Sequence, residues 1–152
     1  MSPASPRPEA AAPIRLIRHS PLALRLRRRL DALAALLDGH SFWAAGRSRT
    51  ELGRMLSGSQ VVVSAWRGQE LVGFGRATSD GVFRAVLWDV VVAEAQQGMG
   101  LGRRIVEALV TSPPVAGAER IYLMTTTGQG FYERLGFTPV ESQRLMLKLK
   151  SG

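Results

Sequence analysis

The sequence predicts an α/β (α+β) domain. It should hold a mixed, mostly antiparallel twisted sheet of about six to seven strands, about four helices and one parallel strand–helix–strand crossover. Three observations predict it. The nearly unbroken apolar run 85–93, Ala-Val-Leu-Trp-Asp-Val-Val-Val-Ala, suits a strand buried on both faces. That run leads through Glu94-Ala95-Gln96-Gln97 and three alternating glycines, Gly98, Gly100 and Gly102, into an amphipathic segment carrying Leu101, Ile105, Val106 and Leu109. Upstream of it, two strand-like runs and the hairpin signal Asp80-Gly81 predict an antiparallel meander.

The elements follow in order. Residues 1–13 hold four prolines and four alanines without apolar periodicity, and read as a disordered tail before a single domain over 14–152. Residues 14–17 form a short first strand. Ser20-Pro21 opens a helix in which Leu26, Leu30, Leu33 and Leu37 recur at helical spacing, with Gly39 as its stop. A second helix is expected near 49–56, ended by Gly58. Residues 61–66 and 71–78 are strands joined by the turn Arg67-Gly68-Gln69-Glu70. The helix after the glycines runs to about Thr111 and breaks at Pro113-Pro114. Residues 120–125 then form a strand beside the central one. A last helix spans about 129–135, and residues 137–140 and 144–150 should close the sheet as an antiparallel pair.

Bulk properties exclude several functions. With 152 residues the chain fits one domain. It has no cysteine, which excludes disulfides and thiolate metal sites; with only His19 and His40 a histidine metal cluster is not expected either. No apolar run approaches the roughly 20 residues of a membrane span, so a cytoplasmic location is expected. The net charge of +8 would suit an anionic partner. Arg25, Arg27, Arg28 and Arg29 crowd the first helix. A nucleic-acid patch is one reading of them; the solvated face of an amphipathic helix is the favoured one. The arginine-rich first thirty residues, with Glu9 as their one acid, also suit a transit peptide, but its removal would delete the leucine-patterned helix.

The glycine loop carries the first chemical signal. Glycines between a strand and a helix N-terminus expose backbone N–H groups where the helix dipole favours an anion, usually phosphate. No Lys-Ser or Lys-Thr pair follows, so a mononucleotide P-loop is excluded. The dinucleotide fingerprint also fails, because Arg103 and Ile105 occupy the positions that need glycine. Gln97-Gly98-Met99-Gly100-Leu101-Gly102 does fit Gln/Arg-x-x-Gly-x-Gly/Ala. Here the sequence resembles the GNAT superfamily of acyl-CoA-dependent N-acetyltransferases, in which this loop cradles the coenzyme pyrophosphate. Gly130-Phe131-Tyr132-Glu133-Arg134-Leu135-Gly136-Phe137 resembles the family's late FYxxxGF signature. Arg76-Ala77-Thr78-Ser79-Asp80 and Trp88-Asp89-Val90, taken with the loop, resemble its small cyanobacterial and plastid branch, which includes the plant serotonin N-acetyltransferases.

The resemblance implies a GNAT fold, acetyl-CoA as co-substrate, no metal, and direct acetyl transfer to a primary amine. The narrower branch implies an arylalkylamine such as serotonin or tryptamine. Protein lysine and a non-catalytic coenzyme-binding module are the alternatives. Partners are therefore an amine acceptor and, as an open option, a second copy in a homodimer; nucleic acid and membrane are not expected.

An amine with a pKa near 10.4 is neutral in about one molecule in a few thousand at pH 7, so the site must remove a proton before attack. Expulsion of the thiolate is eased by an acid, and Tyr132 lies where the family places one. Asp89 is the one charge inside the apolar run, where burial would raise its pKa toward a base's range; a structural salt bridge to an arginine is the equal alternative. Glu94 and a water chain are further options. By resemblance, the backbone N–H groups of Val90, Val91 and Val92 receive the pantetheine arm and acetyl carbonyl, and Gln97, Gly98, Met99, Gly100, Leu101 and Gly102 receive the phosphates. Arg103 is a candidate phosphate partner or a solvated helix charge. Phe42 and Trp43 are candidates to line the acceptor site or to be core. His40 beside them offers a base, although a lone loop histidine more often has neither role. Many family members carry an asparagine seven residues before the tyrosine. Thr125 stands there, so that contact is not transferred.

Overall fold

The computed structural model describes residues 12–150, so most of the expected tail over 1–13 lies outside the described residues. The chain runs β1 (Ile14–Arg18), α1 (Leu24–Arg27), α2 (Leu30–His40), α3 (Arg49–Ser57), β2 (Val61–Arg67), β3 (Glu70–Ser79), β4 (Arg84–Val92), a 3-10 turn (Glu94–Gln96), α4 (Leu101–Val110), α5 (Pro113–Ala116), β5 (Arg120–Tyr122) and α6 (Gln129–Glu133). The sheet order is β1-β2-β3-β4-β5. The first three pairings are antiparallel, and β5 joins β4 in parallel. The architecture is the expected α+β one with a mixed sheet and a crossover through α4.

Two expectations are corrected. The sheet has five strands among the described residues, not six to seven, because residues 137–140 and 144–150 join no strand pairing. The helices among the described residues number six rather than about four. Part of that excess is the first predicted helix, which is split. Ala23 adopts a left-handed conformation at φ 49°, and Arg29 leaves helical geometry at φ −127°. The break lets Leu26 of α1 and Leu33 and Leu37 of α2 all reach full burial. Gly39 does not stop α2, which continues to His40.

Two of the four crowded arginines are used locally. Arg27 donates to the Leu22 carbonyl at 2.6 Å and to Ser57 Oγ. Arg29 lies over the Trp66 ring at 5.3 Å and donates to the Gln69 carbonyl. For Arg27 and Arg29 this occupancy fits the amphipathic-face reading.

The centre of the sheet is built to receive α4. Gly73 and Gly75 of β3 lie under this helix. A Cβ on Gly73 would sit 2.7 Å from Ile105 Cδ1, and one on Gly75 2.8 Å from Ile105 Cγ2. Missing side chains thus let the helix backbone come down onto the strand. Phe74 points to the opposite face and is also fully buried, so both faces are covered. Ile105 and Leu109 are fully buried, each stabilising the fold by about 1.5–3 kcal/mol.

At the far end of β3, Asp80 Oδ1 accepts from the backbone N–H groups of Val82, Phe83 and Arg84 at 2.8, 2.7 and 3.1 Å. Those three donors hold its carboxyl below the usual carboxylate range. Gly81 takes φ 80°. Asp80 is a turn residue, as its sequence context predicts.

Candidate active site

Strand β4 has two irregularities, and they fall in the same half of the strand. Its pairing with β5 stops at Val86↔Tyr122, whereas β4 continues to Val92. At about 3.3 Å per residue, a stretch of roughly 20 Å has no strand on its β5 side. Across the other edge, Arg76 faces Trp88 and Phe74 faces Val91, so Asp89 and Val90 oppose the single Gly75. This is a β-bulge, with Asp89 at φ 51°. Aspartate is among the few non-glycine residues that tolerate this region. The bulge turns the strand within the Val90–Val92 stretch that the sequence singles out. Val91 is buried; Val90 and Val92 are half-buried.

The glycine loop follows directly. Gly98 and Gly100 adopt φ 83° and 81°, and Gly100 is the N-cap of α4. No side chain caps that terminus, which leaves the first N–H groups of the helix facing outward. Leu101 is core, so it can offer a ligand only its N–H. Met99 is 62% exposed. Gln97 Nε2 donates to the Val92 carbonyl at 3.2 Å, tying the loop to the end of β4. Arg103 pairs with Glu107 one turn along at 2.9 Å, on the exposed side of the helix. An open strand edge thus leads to a helix terminus whose first N–H groups have no side-chain cap.

The last helix is docked on this loop through glycine. A Cβ on Gly102 would lie 3.2 Å from the Phe131 ring, so Phe131 packs on the first turn of α4. Tyr132 meets Phe131 edge-to-face at 4.9 Å and Phe137 at 5.8 Å. Burial raises its pKa, which keeps the phenol protonated. Thr125 has a role of its own: its Oγ1 accepts from the Gly128 N–H at 2.8 Å. A side chain at Gly128 would strike that oxygen and crowd the Tyr132 ring.

Asp89 corrects an expectation. Its carboxylate is buried, which alone would raise the pKa, but hydrogen bonds from Arg47 and Arg76 outweigh this and lower it. Arg47 donates at 3.0 Å and Arg76 at 2.9 Å, both to Oδ2. Trp43 Nε1 donates to Oδ1 at 3.0 Å. The raised pKa suited to a base is not present; the salt-bridge alternative is. Neither arginine was predicted for this contact. The readable signal for Arg76 was its strand position: a meander places it across from Trp88, next to Asp89. Arg47 lies on a loop and left no signal.

Phe42 and Trp43 are not core. They are 77% and 50% exposed and stack edge-to-face at 5.1 Å. Beside them a cleft of about 450 Å³ is lined by Asp38, Ser41, Phe42, Glu94, Gln97 and their neighbours. Ser41 Oγ is buried without a hydrogen-bond partner. His40 Nδ1 accepts from the Glu94 N–H at 3.1 Å. In a neutral imidazole the proton then sits on Nε2, which makes that nitrogen a donor. A larger groove of about 720 Å³ lies between α2 and the β2–β3 turn. It touches neither the glycine loop nor Tyr132, and its size does not make it the reactive centre.

The sequence pattern of the Acetyltransferase (GNAT) family matches residues 30–137. The chain belongs to the GNAT family. This is an acyltransferase family that uses acetyl-CoA. Over 97 residues this GNAT chain is 43% identical to serotonin N-acetyltransferase 2, chloroplastic, of Oryza sativa subsp. japonica, covering 60% of this chain and 48% of the rice protein. Over 103 residues it is 33% identical to an N-acetyltransferase, ycf52-like, of the cyanobacterium Prochlorococcus marinus, covering 62% of this chain and 57% of that one. The matches thus span about half the length of these curated relatives. A GNAT family acetyltransferase from Streptococcus pneumoniae TIGR4 superposes with a TM-score of 0.74 over 92% of this chain and 100% of that one; at 20% identity it speaks for the fold. Among the described residues no helix is long and apolar enough to cross a membrane, and no group of three or more His, Cys, Asp or Glu could hold a metal.

Proposed function

We propose that this GNAT domain transfers an acetyl group from acetyl-CoA directly to the primary amine of an arylalkylamine, with serotonin and tryptamine as representative acceptors. One observation carries the reading. The helix bearing Tyr132 is seated on the first turn of the glycine-loop helix through Phe131 and Gly102, which brings the tyrosine's helix and the uncapped helix terminus together. Acetyl-CoA, when bound, supplies an acyl thioester. The chain's own groups do the rest. The N–H groups of Gly98, Gly100, Gly102 and Arg103 bind phosphate oxygens. The open edge of Val90, Val91 and Val92 offers N–H donors to the pantetheine and carbonyl groups. Tyr132 holds a proton at its hydroxyl for the departing sulfur.

The acceptor side supports an aromatic amine. Phe42, with Trp43 stacked edge-to-face on it, lines a cleft that also holds Asp38 and Glu94 and the unpaired hydroxyl of Ser41. Acidic groups suit an ammonium, and the aromatic pair suits an indole. Asp89 positions Trp43 and the bulge rather than taking a proton. Its lone pairs are committed to Trp43, Arg47 and Arg76. The amine proton leaves through water, with Glu94 at the cleft as its acceptor. The rice relative's name agrees with this acceptor class.

The test is thiol release from acetyl-CoA with serotonin, tryptamine, spermidine, a lysine peptide and amino acids as acceptors. Preferred turnover of the aromatic amines is the expected result. Preference for the peptide would move the acceptor to protein lysine. Coenzyme binding without release on any acceptor would overturn the enzymatic reading.

A further inference from the structure

Of the four crowded arginines, Arg25 and Arg28 are exposed, and they stand beside two leucines that the core leaves out. Leu22 and Leu24 are 62% and 56% exposed, whereas Ala23 between them and Leu26 after them are fully buried. The backbone explains the split. The Ala23 N–H donates to the Ser20 carbonyl at 2.8 Å, and Ala23 takes φ 49°. The chain thus turns inward at the alanine and carries both flanking leucines outward. Arg27 holds that turn by donating to the Leu22 carbonyl. Through α1 and its C-cap Arg28, Leu24 and Arg28 are four residues apart and Arg25 and Arg28 three apart, spacings that share one helix face.

We propose that this turn is a peripheral membrane-binding surface. Leu22 and Leu24 enter the boundary between headgroups and acyl chains of an anionic bilayer, and Arg25 and Arg28 bind its lipid phosphates. Charge complementarity selects the anionic surface. Residues 12–30 contain no acid, and the first one after them, Asp31, lies 3.5 Å from Arg29. The local field is positive as well: burial, and then the charge of Arg25, lower the pKa of His19. A bilayer receives both kinds of group at once. Guanidiniums pair with phosphate oxygens at headgroup depth, and apolar side chains a little deeper leave water. A nucleic acid would take the arginines and leave the leucines wet. Residues 12–41 also carry no Phe, Tyr or Trp on which a base could stack. Attachment of this kind needs no spanning helix. No membrane partner is expected from the sequence, which does not show which leucines the core leaves out.

The test sediments the full chain with vesicles of phosphatidylcholine alone and of phosphatidylcholine mixed with phosphatidylglycerol. Binding to the mixed vesicles only, weakening as salt rises, is the expected result. Arg25→Glu with Arg28→Glu should weaken it about 30-fold or more. Leu22→Ser with Leu24→Ser should weaken it about tenfold without changing the salt dependence. Arg84→Glu with Arg120→Glu removes the same charge at the β4–β5 side of the sheet, and should weaken binding less than about threefold. All of these side chains are exposed except those of the core, so each variant should keep the parent's circular dichroism. The parent's own vesicle comparison stands whatever the variants do. No binding by the parent chain overturns the proposal. So does an equal loss in the two arginine pairs, which would mean that net charge alone drives adsorption. Equal binding to vesicles, an RNA oligonucleotide and polyglutamate, indifferent to the leucine pair, also overturns it and would make the patch a general polyanion site. None of these readouts depends on acetyl transfer, so the result stands apart from the fate of the proposed reaction.

Discussion

The two halves of the candidate site are made of different material. The coenzyme half is backbone: two glycines at positive φ, an uncapped helix terminus and a strand edge left bare where β4 and β5 part. The acceptor half is side chain: Trp43, Arg47, Arg76 and Asp89 in one hydrogen-bonded cluster, with Phe42 and Glu94 at a cleft beside it. A backbone site needs particular residues only where conformation or close approach demands them, so it leaves a compact motif. A side-chain site draws residues from a loop, β3 and β4, and is assembled only when the chain folds. The difference predicts separable failures: damage to the acceptor half should cost stability, and damage to the coenzyme half should cost affinity.

The largest expected effect tests the side-chain half. Asp89→Ala leaves Arg47 and Arg76 facing each other without their shared carboxylate, and also loses a residue that tolerates φ 51°. A loss of about 3–5 kcal/mol is expected in urea unfolding. Asp89→Asn keeps the backbone tolerance and should lose less. The pH profile follows from the same contacts. The folded-state pKa of Asp89 lies below its unfolded value of about 3.9. Its stabilisation is therefore fully present above that value and is lost as pH falls through the folded pKa. Acid unfolding of Asp89→Asn should show a shallower slope below about pH 4. Equal slopes for variant and parent would mean that the ion pairs contribute nothing.

Next comes the group that bridges the halves. Tyr132→Phe should lower kcat about 100-fold, the low end of what a positioned acid supplies, while coenzyme affinity changes less than about twofold. Retention of turnover would remove Tyr132 as the acid. Because burial raises its pKa, the parent enzyme should show no loss of activity from tyrosine ionisation until pH passes about 10.

A smaller effect tests the backbone half. Gly98 has open space where a Cβ would go, so Gly98→Ala meets no clash and only the strain of φ 83°. Its cost should be about 1 kcal/mol, divided between folding and a severalfold weaker affinity for coenzyme A by calorimetry. Unchanged affinity would separate the loop from phosphate binding. The smallest effect is expected of Arg103→Ala. Arg103 already has Glu107, and the proposed phosphate grip uses its N–H. KM for acetyl-CoA should rise less than about threefold; a rise beyond tenfold would place the guanidinium itself on a phosphate.

Much of this molecule was legible in one dimension. The valine run, the Asp80-Gly81 turn and the glycine loop each follow from local rules: alternating or continuous apolarity, a turn that needs φ > 0, and a helix terminus that needs donors. They placed four of the five strands to within two residues, as well as α3, α4 and Tyr132. The errors occur where a local pattern meets a distant partner. The first helix looked continuous because its leucines keep helical spacing, but the core required a break between Leu26 and Leu33. Residues 144–150 have a strand's alternation and pair with no strand among the described residues.

The sequence by itself determined the geometry of the glycine loop, because backbone conformation is set by glycines and neighbours a few residues away. Only the tertiary structure decided what Asp89 does. A carboxylate in an apolar strand rises or falls in pKa according to which charges arrive from elsewhere. Here Arg47, 42 residues away, and Arg76, 13 away, arrived together and hold the carboxylate in ion pairs with a lowered pKa.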